Sequence, residues 1–204
     1  GLLTPAPALL GLNTPPSVPA ADALFSQIDG LSADDTVLVG YEWDARRSSE
    51  LRPLESAVLD HLIQHRVKLV LVSTDPQGSL LLYDLRDRLE QAGYQPRGED
   101  YILLGYKPGA ELALRTIAQS FPSTLRSDFQ GNDASSSILA TDANRQLRLR
   151  SIADFSMVLV LTDDASDVQG WMEQVHPSAG RTDGSYVPFG FLMPAETAPI
   201  VQPY

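Results

Sequence analysis

The chain has 204 residues, 43% of them hydrophobic, no cysteine, and a formal net charge of −11. That length can bury one sizeable core. The acidity argues against DNA or RNA as partners, because phosphate backbones call for clustered Lys and Arg, and the missing cysteine excludes disulfides, thiol nucleophiles and cysteine-type zinc sites. The same charge disfavours adsorption to an anionic lipid surface, although a separate anchor could still hold the domain at a membrane. The strongest apolar run, Met157–Leu161 with its flanks, falls short of the roughly 20 residues a bilayer span needs. The sequence opens at Gly1 instead of a methionine, so the lack of a targeting segment decides nothing about compartment.

In chain order, residues 1–20 hold Pro5, Pro7, Pro15, Pro16 and Pro19 and read as an extended linker or stalk. A short helix is expected over Ala20–Ile28, stopped by Gly30. From there apolar runs alternate with amphipathic stretches, the pattern of a parallel sheet with crossover helices. The expected strands are Thr36–Tyr41, Val67–Val72, Tyr101–Gly105, Ser156–Leu161 and Tyr186–Leu192, the last suiting a sheet edge because it contains Pro188. Between the first two, Leu51, Leu54, Val58, Leu59, Leu62 and Ile63 keep a helical spacing, with Asp44, Arg46, Arg47, Glu50 and Arg52 around the start. A second crossover helix spans Ser79–Ala92, with Leu82, Leu85 and Leu89 inward and Gly93 as a left-handed stop. The third runs Pro108–Phe121, with Leu112, Ile117 and Phe121 toward the sheet, and Pro122 ends it. Residues 123–150 form a long polar excursion. A fourth helix, capped near Ser166 or Asp167, presents Val168, Trp171, Met172 and Val175. The expected architecture is therefore α/β: one domain over residues 21–204, a Rossmann-like three-layer αβα sandwich of about five mainly parallel strands with right-handed crossovers.

Ligands of open α/β sheets bind beyond the carboxyl ends of the strands. Those ends carry Tyr41-Glu42-Trp43-Asp44, Ser73-Thr74-Asp75-Pro76, Tyr106-Lys107-Pro108-Gly109 and Thr162-Asp163-Asp164, three acidic tips against one lysine. A helix opening after Pro108-Gly109, next to a full positive charge, would welcome a carboxylate or phosphate. The plainer alternative has Lys107 pairing with Asp75 or Asp163 across the rim. The expected ligand-binding set is Tyr106, Lys107 and Gly109 with Glu42, Asp75 and Asp163. No catalytic residue is assigned. Glu42, Asp44, Asp75, Asp163 and Asp164 are of the type that gathers magnesium, yet Asp75-Pro76 and Asp163-Asp164 also have the form of helix caps. No Walker loop or Gly-x-Gly-x-x-Gly fingerprint is present, so no nucleotide cofactor is expected. A Gly-x-Ser-x-Gly elbow is absent as well. His61 and His65 share a helix face, but the sequence indicates no third metal ligand, and His176-Pro177 closes the fourth helix.

Several stretches, in order, resemble an uncharacterised family of bacterial and archaeal membrane proteins in which a soluble α/β domain is attached to transmembrane helices. They are Val39-Gly40-Tyr41-Glu42-Trp43, the helix with Glu50, Leu54 and Leu62, Lys68–Thr74, Glu99–Glu111 with its Gly-Tyr-Lys-Pro-Gly corner, Ile152–Phe155, and Trp171. The family pattern has a second glycine where this chain has Ala110, and the excursion from Ser123 to Arg150 does not match it closely. The resemblance implies a membrane-anchored domain, extracytoplasmic, with the proline-rich start as its stalk and a membrane helix beyond each end. It implies no known activity, cofactor or catalytic residue. The expected role is a binding or interaction module for a small anionic ligand or a protein partner. The alternative is a metal-assisted hydrolase using Asp75, Asp163 and Glu42, with Lys107 stabilising developing negative charge.

Overall fold

Thr36–Tyr41 (β1), a run of buried residues, pairs in parallel with Lys68–Ser73 (β2) on one side and with Met157–Leu161 (β4) on the other. Tyr101–Tyr106 (β3) continues the sheet beyond β2, and Phe189–Leu192 (β5) beyond β4, both parallel. Val201–Pro203 (β6) closes that side antiparallel to β5. The order is β3-β2-β1-β4-β5-β6, the arrangement of a doubly wound Rossmann-like sheet whose direction of travel reverses between β1 and β4. This computed structural model describes residues 18–43, 49, 51–194 and 201–203. Most of the proline-rich stretch, together with Asp44, Arg46, Arg47 and Glu50, lies outside the described residues.

Helices cover both faces. Val18–Asp29 (α1), Arg52–Gln64 (α2) and Pro76–Gln91 (α3) pack one face, burying Leu24, Ile28, Val58, Leu59, Leu82 and Leu85 against Val37, Val39 and Leu71. On the other face Glu111–Gln119 (α4), Phe121–Leu125 (α5) and Ala165–Gln174 (α6) set Leu114, Ile117, Phe121, Val168 and Trp171 against Leu38, Val70 and Val160. The alternation of Val37 and Val39 with Leu38 is the two-residue period of a strand, here buried on both sides. The expected three-layer αβα sandwich is therefore present.

Several details differ from the sequence reading, among them the start of α3 at Pro76 instead of Ser79. Helix α1 starts at Val18, with Pro19 in its first turn, where a missing N–H costs nothing. Strand β5 is interior: Pro188 lies just before it and its carbonyl accepts from Val158 N at 2.9 Å, while β6 takes the edge. Helix α4 begins at Glu111 instead of Pro108, so Leu112 is 59% exposed and Ala113, Leu114, Ile117 and Ala118 turn inward. Pro122 follows α4 but also sits in the first turn of α5, which starts at Phe121, because that turn needs no proline N–H.

The excursion is an ordered strap. Phe129 N donates to Leu103 O at 3.0 Å, Leu139 N to Gly98 O at 2.8 Å, and Arg148 Nη2 to Thr36 Oγ1 at 2.9 Å. It runs down the outer flank of β3 to the amino end of the sheet, covering an edge that would otherwise expose unpaired backbone. Gly105 makes room for it: φ is +76°, the register slips between Leu71 and Val72, and an added Cβ would stand 3.0 Å from Phe129 Cβ.

Candidate functional site

Parallel pairing brings the carboxyl ends of the strands into one row. Lys107 N donates to Ser73 O at 2.8 Å, Ser73 Oγ donates to Tyr41 O, Glu42 N donates to Leu161 O at 2.7 Å, and Thr162 N donates to Leu192 O at 3.0 Å. Lys107, Ser73, Glu42 and Thr162 thus follow one another across the rim. Near its centre Asp75 is close enough for its charge to act on Glu42, and Asp163 follows the end of β4. Lys107 stands at the outer strand, three strands and so roughly 14 Å from the end of β4 at about 4.8 Å per strand.

Glu42 is buried and fully used by its neighbours. Its Oε1 accepts from Thr74 N at 2.7 Å, and its Oε2 accepts from Thr74 Oγ1 and from Trp171 Nε1 at 3.1 Å. One carboxylate thereby ties the ends of β1 and β2 to α6. Burial raises its pKa, opposed by those hydrogen bonds, and the neighbouring Asp75 charge adds to the rise. Asp75 caps α3, accepting from Gln77 N at 2.7 Å, and Asp164 caps α6, accepting from Ser166 N at 2.9 Å. The cap of α6 is Asp164 because its extended backbone lets the carboxylate reach two residues ahead. Asp163 is buried beside it.

Asp167, which the sequence suggests only as a possible cap, carries the clearest perturbation. Burial pushes its pKa up to about 7, the charges of Glu42, Asp164 and Asp75 reinforce the shift, and Thr162 Oγ1, donating to Oδ2 at 2.5 Å, opposes it. These carboxylates feel one another without converging. Among the described residues no three of them bring ligand atoms within 4.8 Å, so the rim does not assemble a carboxylate cation site there.

The lysine corner is a separate place. Lys107 and Pro108 leave β3, and Gly109 (φ +112°) and Ala110 (φ +50°) reverse the chain into α4, whose N-terminus has no side-chain cap. A pocket of about 270 Å³ opens here, lined by Lys107, Pro108, Gly109, Leu112, Thr116 and Thr124 among others. Lys107 Nζ donates to Ser127 O in the strap. Burial lowers its pKa, partly offset by the Asp128 charge. Among the described residues it makes no ion pair, with Asp75, Asp163 or any other carboxylate. Tyr106 is exposed beside it.

A larger cleft of about 490 Å³ lies between α3, β3 and the strap, with Arg86 and Arg97 in its wall. It is less suited to an anion. Arg86 is held over the rings of Tyr83 and Phe129, at 5.3 and 5.6 Å, and Asp87, Glu90, Asp128 and Asp133 line the same wall. No local sequence pattern marks this cleft, because it exists only where the strap folds back on β3.

The fold and rim together define a doubly wound α/β domain with a lysine-lined pocket at its outer strand. No protein-family model, curated protein or solved structure matches the chain.

Proposed function

We propose that the protein is a binding module that takes the anionic group of a small ligand, or of a partner's side chain, in the pocket at the Lys107 corner. One observation carries the reading. In a chain with 26 acidic and 15 basic residues, Lys107 is a half-buried cation without an ion pair among the described residues, hydrogen-bonded to the Ser127 carbonyl, its desolvation only partly offset by the Asp128 charge. An anion in the pocket would offset that cost, and the uncapped start of α4 favours the same sign of charge. Leu112 and Pro108 supply apolar wall, so an anionic head on a short apolar body fits better than a bare ion.

Attachment to a membrane, with the domain on the extracytoplasmic side, belongs to the same proposal and rests on the family resemblance alone. No helix among the described residues is long and apolar enough to cross a membrane, so any anchor would come from elsewhere. The hydrolase reading draws no support from the rim: Glu42 is engaged by Thr74 and Trp171, and Asp75 by the first turn of α3.

The test is a thermal-shift series with acetate, butyrate, sulfate and phosphate on the wild type and on Lys107→Ala. The reading expects stabilisation by at least one anion, strongest for the carboxylate with the longer apolar tail, and its loss in the variant. Equal shifts in both proteins would remove the lysine from the argument.

A further inference from the structure

On the face of the sheet covered by α1, α2 and α3, three metal-capable side chains converge far from the rim. His61 lies in the last turn of α2 and His65, four residues on, is its C-cap, and Asp29, the last residue of α1, reaches both. Its Oδ1 contacts His61 Nε2 and lies 3.4 Å from His65 Nε2, and the ligand atoms of all three fall within 4.8 Å of one another. The two histidine side chains are 26% and 30% exposed and Asp29 is 58% exposed, so the group is open to solvent on one side.

We propose that Asp29, His61 and His65 form a binding site for a divalent transition-metal ion of the zinc, cobalt or nickel type, independent of the pocket at Lys107. The chemistry selects that class: two imidazoles and one carboxylate suit borderline ions, whereas magnesium and calcium prefer oxygen alone. The spacing fits as well. With metal–nitrogen and metal–oxygen bonds near 2.0–2.2 Å, tetrahedral geometry sets neighbouring ligand atoms about 3.4 Å apart. The separation of His65 from Asp29 is already 3.4 Å. The His61 contact must open, which the exposed Asp29 side chain can accommodate by rotation. Both rings present Nε2 toward the same point, and Phe25 packs edge-on to His61 with centroids 5.3 Å apart, restricting that ring.

Three protein ligands leave at least one coordination position for water. The ion would also bridge two helices, since Asp29 comes from α1 and the histidines from the last turn and C-cap of α2. Metal binding would therefore fasten the C-terminal end of α1 to α2, over a core in which Leu24 and Ile28 already pack with Val58, Leu59 and Leu62. Without metal, the carboxylate and a histidine satisfy each other directly.

The experiment uses the untagged chain, freed of metal by chelator and dialysis. Zn²⁺ is titrated by calorimetry, and Co²⁺ is followed by its visible ligand-field absorption. The proposal expects one equivalent bound, a rise in melting temperature reversed by EDTA, and at least tenfold weaker binding in each of His61→Gln, His65→Gln and Asp29→Asn. His176→Gln should bind like the wild type, because His176, the third histidine of the chain, stacks on Tyr186 elsewhere in the fold. All four substitutions fall at exposed or half-buried side chains, and circular dichroism checks that each variant is folded. Absence of saturable binding by the wild type at millimolar metal would overturn the site, as would binding that persists in a His61→Gln, His65→Gln double variant.

Discussion

The indole N–H of Trp171 donates to the carboxylate of Glu42 at 3.1 Å, joining residues 129 positions apart. The ring reaches this position because residue 40 is glycine: a Cβ there would stand 2.6 Å from Trp171 Cζ2. Thr74 N donates to the other carboxylate oxygen, so each oxygen faces an N–H that cannot act as an acceptor. Glu42→Gln should therefore lower stability by about 1–3 kcal/mol, although it removes a buried charge, since the new amide nitrogen must oppose one of those donors. Urea denaturation followed by tryptophan fluorescence measures it, and a neutral or stabilising result would mean that the charge, not the donor geometry, governs the site.

A second buried acid follows the same logic. Tyr41 donates its hydroxyl to Glu55 Oε2 at 2.7 Å, and Arg52 Nη1 approaches Oε1 at 3.4 Å. Tyr41→Phe should cost about 1–3 kcal/mol because the buried carboxylate loses its closest donor. Adding Glu55→Leu to that variant should recover part of the loss, since removing both partners leaves nothing unpaired. A double-mutant cycle in urea gives both numbers.

The pH dependence should carry the mark of Asp167. Its folded pKa, near 7, lies above the unfolded value of about 3.9. Stability from this group is complete below about pH 4 and is lost as pH rises through 7. Glu42 and Glu55, also raised by burial, act in the same direction. His176, lowered by burial, acts in the opposite one. The informative comparison is therefore between the wild type and Asp167→Asn, which share those groups. The variant should show a visibly shallower fall in melting temperature between pH 4.5 and 7.5, and identical slopes would contradict the assignment.

Backbone strain at the corner yields a further expectation. Ala110 has φ +50° and ψ −114°, a conformation that suits glycine. Ala110→Gly should stabilise the protein by about 1 kcal/mol, the relief of strain exceeding the added chain entropy. Chemical denaturation checks the sign, and destabilisation would show that the alanine methyl makes a contact worth more than the strain.

The sheet was legible because its inner strands are nearly unbroken apolar runs, and only burial on both faces makes such runs stable. The edge was not. Strand β6 is three residues long, and Pro188 pointed to the wrong strand because a proline just before a strand resembles one within it. The phase of α4 was misjudged at Leu112, since the reversal at Gly109 and Ala110 delays the helix to Glu111 and shifts which residues face inward. At the rim, the capping role of Asp75 could be read from Asp-Pro, whereas the hold of Thr74 and Trp171 on Glu42 could not, being made by residues 32 and 129 positions away. Ser127 beside Lys107 and Asp29 beside His61 were hidden for the same reason: contacts between distant segments leave no local pattern.

Amide chemical shifts during titration with butyrate address the lysine corner most directly. The account predicts saturable changes centred on Lys107, Gly109, Ala110 and Leu112, absent in Lys107→Ala. Changes centred on Arg86 and Arg97, or none at all, would contradict it.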